Sequence, residues 1–218
     1  MAQHDTPRFE FRVFGIPLNE TLEGIIQKTP VTHTEQQRDL YLLATGVNRY
    51  NIKIRQNTLN TKVLMRRQEG LERWHPHLDI AFPLSAAFLH EILFPLLQLQ
   101  SAALKRDLYT IELLQTEVIQ SQPTLRIIPV HKQRRHYAID NCQLEVAVLY
   151  VDDRFYTHTI AIEAVDPAAV QQLRAQLGLS GVENVNYNRG LKDLLASDTT
   201  APYTFSFAER VGLTPIAV

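Results

Sequence analysis

From Arg8 to Phe14 the sequence RFEFRVF alternates polar and apolar residues, the two-residue period of a strand with one charged and one apolar face. Arg8, Glu10 and Arg12 share the charged face. From Asn19 to about Lys28 the spacing becomes helical, with Leu22, Ile25 and Ile26 on one side, Asn19 at the start and Thr29-Pro30 as the stop. A block of short strands follows, RDLYLLA from Arg38, YNIKIR from Tyr50, TLNTKVLMR from Thr58 and GLERW from Gly70, divided by polar turns such as Gln56-Asn57. Within it Lys53 and Arg55 oppose Ile52 and Ile54, and Lys62 and Arg66 oppose Val63 and Met65. The stretch SAAFLHEILFPLLQL predicts an amphipathic helix that Pro95 kinks or ends. Between Thr110 and Gln120 both helix and strand are open, with Ile111, Leu114 and Val118 favouring helix. Strand alternation returns in LRIIPVHKQRRHYAI, CQLEVAVLYV and RFYTHTIAIEA, the last two joined at Asp152-Asp153. Helices are expected from Asp166-Pro167 to about Leu177 and near Arg189 to Leu195.

One polar face on an antiparallel strand usually means that the face is wet. Here, however, the polar faces carry Arg and Lys at successive i, i+2 positions, and helices are available to cover the apolar faces. If the apolar faces lie under helices, the charged faces turn inward, and closing the sheet makes a polar tunnel. The expected fold class is therefore α+β, a closed antiparallel β-barrel with covering helices, as one domain over residues 1–218.

Composition narrows the chemistry. Lys+Arg 22 against Asp+Glu 23 gives a net charge of −1, so no overall field draws the chain to a nucleic-acid duplex or an anionic membrane. The apolar run at Ile92–Leu97 is far shorter than the roughly 20 residues of a membrane-spanning helix. A single cysteine, Cys142, permits no intramolecular disulfide and reads as core. The first residues, MAQHDTPRFEF, lack a signal-peptide pattern, so a cytoplasmic location is expected. The histidines, among them His75, His77, His131, His136 and His158, form no metal-binding spacing, and Trp74 reads as packing.

The candidate tunnel lining holds seven cations, Arg8, Arg12, Lys53, Arg55, Lys62, Lys132 and Arg134, against four glutamates, Glu10, Glu72, Glu145 and Glu163. Enclosed charge must be paired or bound to a ligand, and arginine forks suit phosphate oxygens, so the excess predicts a polyanion. Glutamates around the same space suit Mg²⁺ or Mn²⁺ together with phosphate and water. Structural ion pairs explain any one of these side chains equally well.

The ordered set RFEFR, NIKIR at Asn51, LNTKVL at Leu59, HKQRRHY at His131, QLEV at Gln143, TIAIEA at Thr159 and NYNRGLKDLL at Asn186 resembles the CYTH, or triphosphate tunnel metalloenzyme, superfamily from Arg8 to about Leu195. The resemblance implies a triphosphate-containing small molecule or inorganic polyphosphate as ligand. It also implies phosphate contacts from Arg8, Arg12, Lys53, Arg55, Lys62, Lys132 and Arg134, and a Mg²⁺ or Mn²⁺ site at Glu10, Glu145 and Glu163. The implied activity is metal-dependent triphosphate hydrolysis, with adenylate-cyclase-like chemistry or non-catalytic nucleotide or polyphosphate binding as alternatives, and a homodimer is compatible with it. Tyr187 and Lys192 are placed by the same resemblance on a lid. Three positions depart from the family pattern: Arg8 stands where the opening Glu-x-Glu-x-Lys has its first glutamate, Arg12 where it has its lysine, and Ala161 where the late Glu-x-Glu has its first, so two departures fall on implied metal ligands.

Overall fold

The computed structural model describes residues 6–100 and 103–214. Its strands are β1 (Arg8–Phe14), β2 (Val31–Ala44), β3 (Tyr50–Arg55), β4 (Thr58–Gln68), β5 (Leu71–Ala81), β6 (Leu84–Ser85), β7 (Leu108–Tyr109), β8 (Leu125–Ile139), β9 (Cys142–Val151) and β10 (Phe155–Ala164). Helical segments are α1 (Glu20–Lys28), α2 (residues 86–97), α3 (residues 111–121), α4 (Pro167–Gln176), α5 (Tyr187–Ser197) and α6 (Thr204–Arg210). The large sheet closes in the order β1-β10-β9-β8-β2-β3-β4-β5, while β6 and β7 pair separately. The expected closed antiparallel barrel with helices is present.

Tight turns set its registers. Gln56-Asn57 places two consecutive residues at positive φ, as a two-residue hairpin matched to strand twist requires, and Asp152-Asp153, also at positive φ, lead a three-residue turn in which the Arg154 N–H donates to the Val151 carbonyl. Asn19 and Asp166 cap α1 and α4 with their side chains, as read from the sequence. The ambiguous stretch at 111–121 is helical, with Thr110 as its cap. Strand β2 begins seven residues before Arg38, because Val31–Gln37 offers no apolar alternation to reveal it. Strand β5 runs on from the expected GLERW through Ala81.

The chain divides into two units. The first comprises Met1–Arg38, Leu64–His75 and Val130–Val218, the second Asp39–Val63 and Pro76–Pro129. In the first, Phe9, Phe11, Val13, Leu144, Val146, Val148, Ile160 and Ile162 form the apolar strand face, packed with Leu22 and Ile26 of α1, Val170 and Leu173 of α4 and Phe207 of α6. Cys142 belongs to this core, where burial pushes its thiol up to about 11. His158 stacks on Phe207 at 4.0 Å and bonds Thr204 and the Ile16 carbonyl, a structural role. In the second unit Ile52, Ile54 and Leu59 pack with Leu89, Leu93 and Phe94 of α2 and Leu114 and Val118 of α3.

One facing differs from expectation. Arg66 lies over the Phe9 ring at 5.2 Å, on the helix-packed side of the first unit, and Arg67 reaches the buried Glu72 instead. Period-two reasoning cannot see a slip of one residue within a strand, and such a slip exchanges the faces of everything after it.

Candidate functional site

On β1, β10, β9 and β8 the face opposite the helices is polar. Register places Arg12 opposite Ala161, Ala161 opposite Glu145, and Glu145 opposite His136. Because Ala161 carries only a methyl group, Arg12 reaches across it. Its Nη1 donates to Glu145 Oε1 at 2.8 Å and to Thr159, while its Nε donates to Glu10 at 2.9 Å. Arg134 donates from Nη1 to the other Glu145 oxygen at 3.0 Å, and its Nη2 meets Gln37 and Glu35. Glu145 is thus clamped between two guanidiniums. Burial pushes its carboxyl up, but Arg12 and Arg134 outweigh this and hold it well below the usual carboxylate range.

Two donors of this cluster remain unspent. Arg134 Nε is buried without a hydrogen-bond partner, and Arg12 Nη2 has none among the described residues. Tyr187, at the start of α5, enters the same face, with Arg12 4.4 Å and Lys132 4.3 Å from its ring centroid. Burial pushes its phenol up to about 12, so it stays neutral. Helix α5 comes this close because residue 190 is glycine: a Cβ there would stand 2.5 Å from the Phe14 ring. Its N-cap, Asn186, donates to both oxygens of Glu72, which also accepts from Arg67 and Trp74. Lys192, the other residue assigned to a lid, is half-buried on α5.

The remaining candidates fall in different places. Glu163 lies opposite Glu10 on one side and Gln143 on the other, one step along the barrel from the Arg12–Glu145 level. Arg8 donates to Gln143 at 2.6 Å. In the second unit Arg55 grips Asp39 with two bonds of 2.8 and 2.9 Å, Lys53 lies 3.9 Å from the same carboxylate, and Lys62 faces Asn51 in register. Asp39, fully buried, went unrecognised in the sequence. Its signal was a lone carboxylate sharing strand parity with Tyr41.

No family model and no curated protein matches the chain. Among solved structures it is similar to a Pyrococcus horikoshii protein (15% identity, 85% of this chain and 98% of that one, TM-score 0.48). It is also similar to a Bacillus halodurans protein provisionally described as an adenylate cyclase (14%, 84% and 96%, 0.43) and to an S. pombe RNA triphosphatase (7%, 96% and 86%, 0.29). With scores this low, the fold stands on the chain's own strand order. It is the closed barrel that the CYTH resemblance implies.

The donors present do not fit the implied divalent metal. Both Glu145 oxygens accept from arginine, Ala161 and Arg8 supply no carboxylate, and no group of three or more His, Cys, Asp or Glu among the described residues is arranged to hold an ion.

Proposed function

We propose that this chain is a CYTH-type barrel protein that binds a triphosphate-type polyanion, either a triphosphate-containing small molecule or inorganic polyphosphate, on the polar face of its barrel strands. The supporting observation is the buried Nε of Arg134, which has no hydrogen-bond partner, beside the buried Arg12 that shares Glu145 with it. A buried N–H without a partner costs about 1–3 kcal/mol, which a phosphate oxygen would recover through a charge-assisted bond. Lys132, 2% exposed beside Tyr187, adds a third cation to the same face. Glu145 keeps both forks in place, so little side-chain entropy is lost on binding. Arg8 is a further proposed phosphate contact in the first unit, and Lys53, Arg55 and Lys62 are proposed separately, on residue type, as phosphate contacts within the second unit.

The test is thermal unfolding with tripolyphosphate against sodium sulfate of equal ionic strength, on the wild type and Arg134→Gln. Tripolyphosphate at about 100 times Kd is expected to stabilise the wild type by about 2.7 kcal/mol and the variant far less. Equal shifts with sulfate, or none with either anion, would remove the proposal. Hydrolysis needs a metal that the donor set does not suit, so binding without orthophosphate release is the expected outcome in the same samples.

A further inference from the structure

We infer that the guanidinium of Arg12 occupies the place of a divalent cation, so that anion binding at this face is independent of metal; the anion half of this rests on the function proposed above. Any cation serving Glu10 and Glu145 must bridge them and leave one side toward the ligand. Arg12 does both. Its Nε lies 2.9 Å from Glu10, its Nη1 lies 2.8 Å from Glu145, and its Nη2 is left without a partner among the described residues. Arg134, 3.0 Å from the second Glu145 oxygen, completes that carboxylate.

A magnesium ion entering here would need near-octahedral oxygen ligands at about 2.0–2.1 Å. It would have to expel two guanidiniums from Glu145 and then sit among Arg12, Arg134 and Lys132, all of its own sign. Residue 161, where a carboxylate would enlarge the oxygen set around Glu145, lies directly between Arg12 and Glu145 in register and is alanine. Glu163 is one step away along the barrel, level with Glu10 and Gln143. The missing carboxylate at residue 161 and the reach of the Arg12 guanidinium are therefore complementary. Ala161 provides the space through which Arg12 crosses to Glu145, and the arginine supplies a permanent charge that needs no loading.

The test titrates Mn²⁺ into the full chain, following free Mn²⁺ by electron paramagnetic resonance, and separately measures tripolyphosphate affinity by calorimetry in EDTA and in 5 mM Mg²⁺ (roughly the concentration that would fill a weak site). The wild type should show no saturable Mn²⁺ binding, and its tripolyphosphate Kd should change less than about twofold between the two buffers beyond the loss caused by Mg²⁺ binding the free anion. Arg12→Gln, which removes the charge and keeps both glutamates, should gain a Mn²⁺ site, with circular dichroism confirming that it is folded. Saturable Mn²⁺ binding by the wild type, weakened in Glu145→Gln, would overturn the inference. Should tripolyphosphate fail to bind in either buffer, the function proposed above falls, whereas the Mn²⁺ titration alone still decides whether Arg12 holds the cation's place.

Discussion

Glu145 has one guanidinium on each oxygen, so its charge is tied to two strands besides its own, β1 through Arg12 and β8 through Arg134. A carboxyl held below its unfolded value contributes stability that is fully present above about pH 4.3 and is lost as pH falls toward its folded value. Wild-type stability from urea titrations should therefore fall steadily as pH drops below about 5. Glu145→Gln leaves the buried Arg12 and the half-buried Arg134 short of an anion and should lose about 3 kcal/mol at pH 7. It should also flatten the acid limb, and an unchanged limb would place the linkage on other carboxylates. At this scale the sequence was informative about type and poor about pairing. The alternation of RFEFR and HKQRRHY put Arg12 and Arg134 on polar faces, but that both would close on Glu145 depends on the β1-β10-β9-β8 register, which alternation does not contain.

The start of helix α5 carries one side chain with two tasks. Asn186 accepts from the Arg189 N–H as an N-cap at 3.1 Å and donates to both Glu72 oxygens at 2.9 and 3.1 Å. In an isolated helix Asp caps as well as Asn does. Here Asn186→Asp would set a carboxylate against a buried carboxylate. It should destabilise the fold more than Asn186→Ala, whose cost is about 1 kcal/mol for the cap plus about 1 kcal/mol for the weakened Glu72 network. The reverse order in urea denaturation would show that capping outweighs the clasp. The element itself was legible from the helical spacing of NYNRGLKDLL, while its anchor was not, because Glu72 lies 114 residues away. The first half of β2 was hidden for a different reason. Val31–Gln37 is mostly exposed on both faces, and a strand that buries neither face leaves no periodic mark.

At the scale of the molecule, the charged strand faces implied closure, because helices on the apolar faces leave the polar faces only one other side. The closed order bears this out. The division into two packed units had no sequence signal, since no linker or change of composition marks it. Strands β2, β4, β5 and β8 each contribute residues to both units. A strand that frays in one half exposes backbone groups that its neighbour must also satisfy, and a closed order has no spare edge to take up the loss. The single-domain reading therefore predicts one cooperative transition. Urea unfolding followed by Trp74 fluorescence, which reports the first unit, should share its midpoint with far-UV circular dichroism. Amides of β3, in the second unit, should lose exchange protection at the same urea concentration as those of β9, in the first. If β3 opens at clearly lower urea while β9 and Trp74 remain native, the units are separate cooperative blocks, and the phosphate contacts proposed for Lys53, Arg55 and Lys62 should be tested apart from those of Arg12 and Arg134.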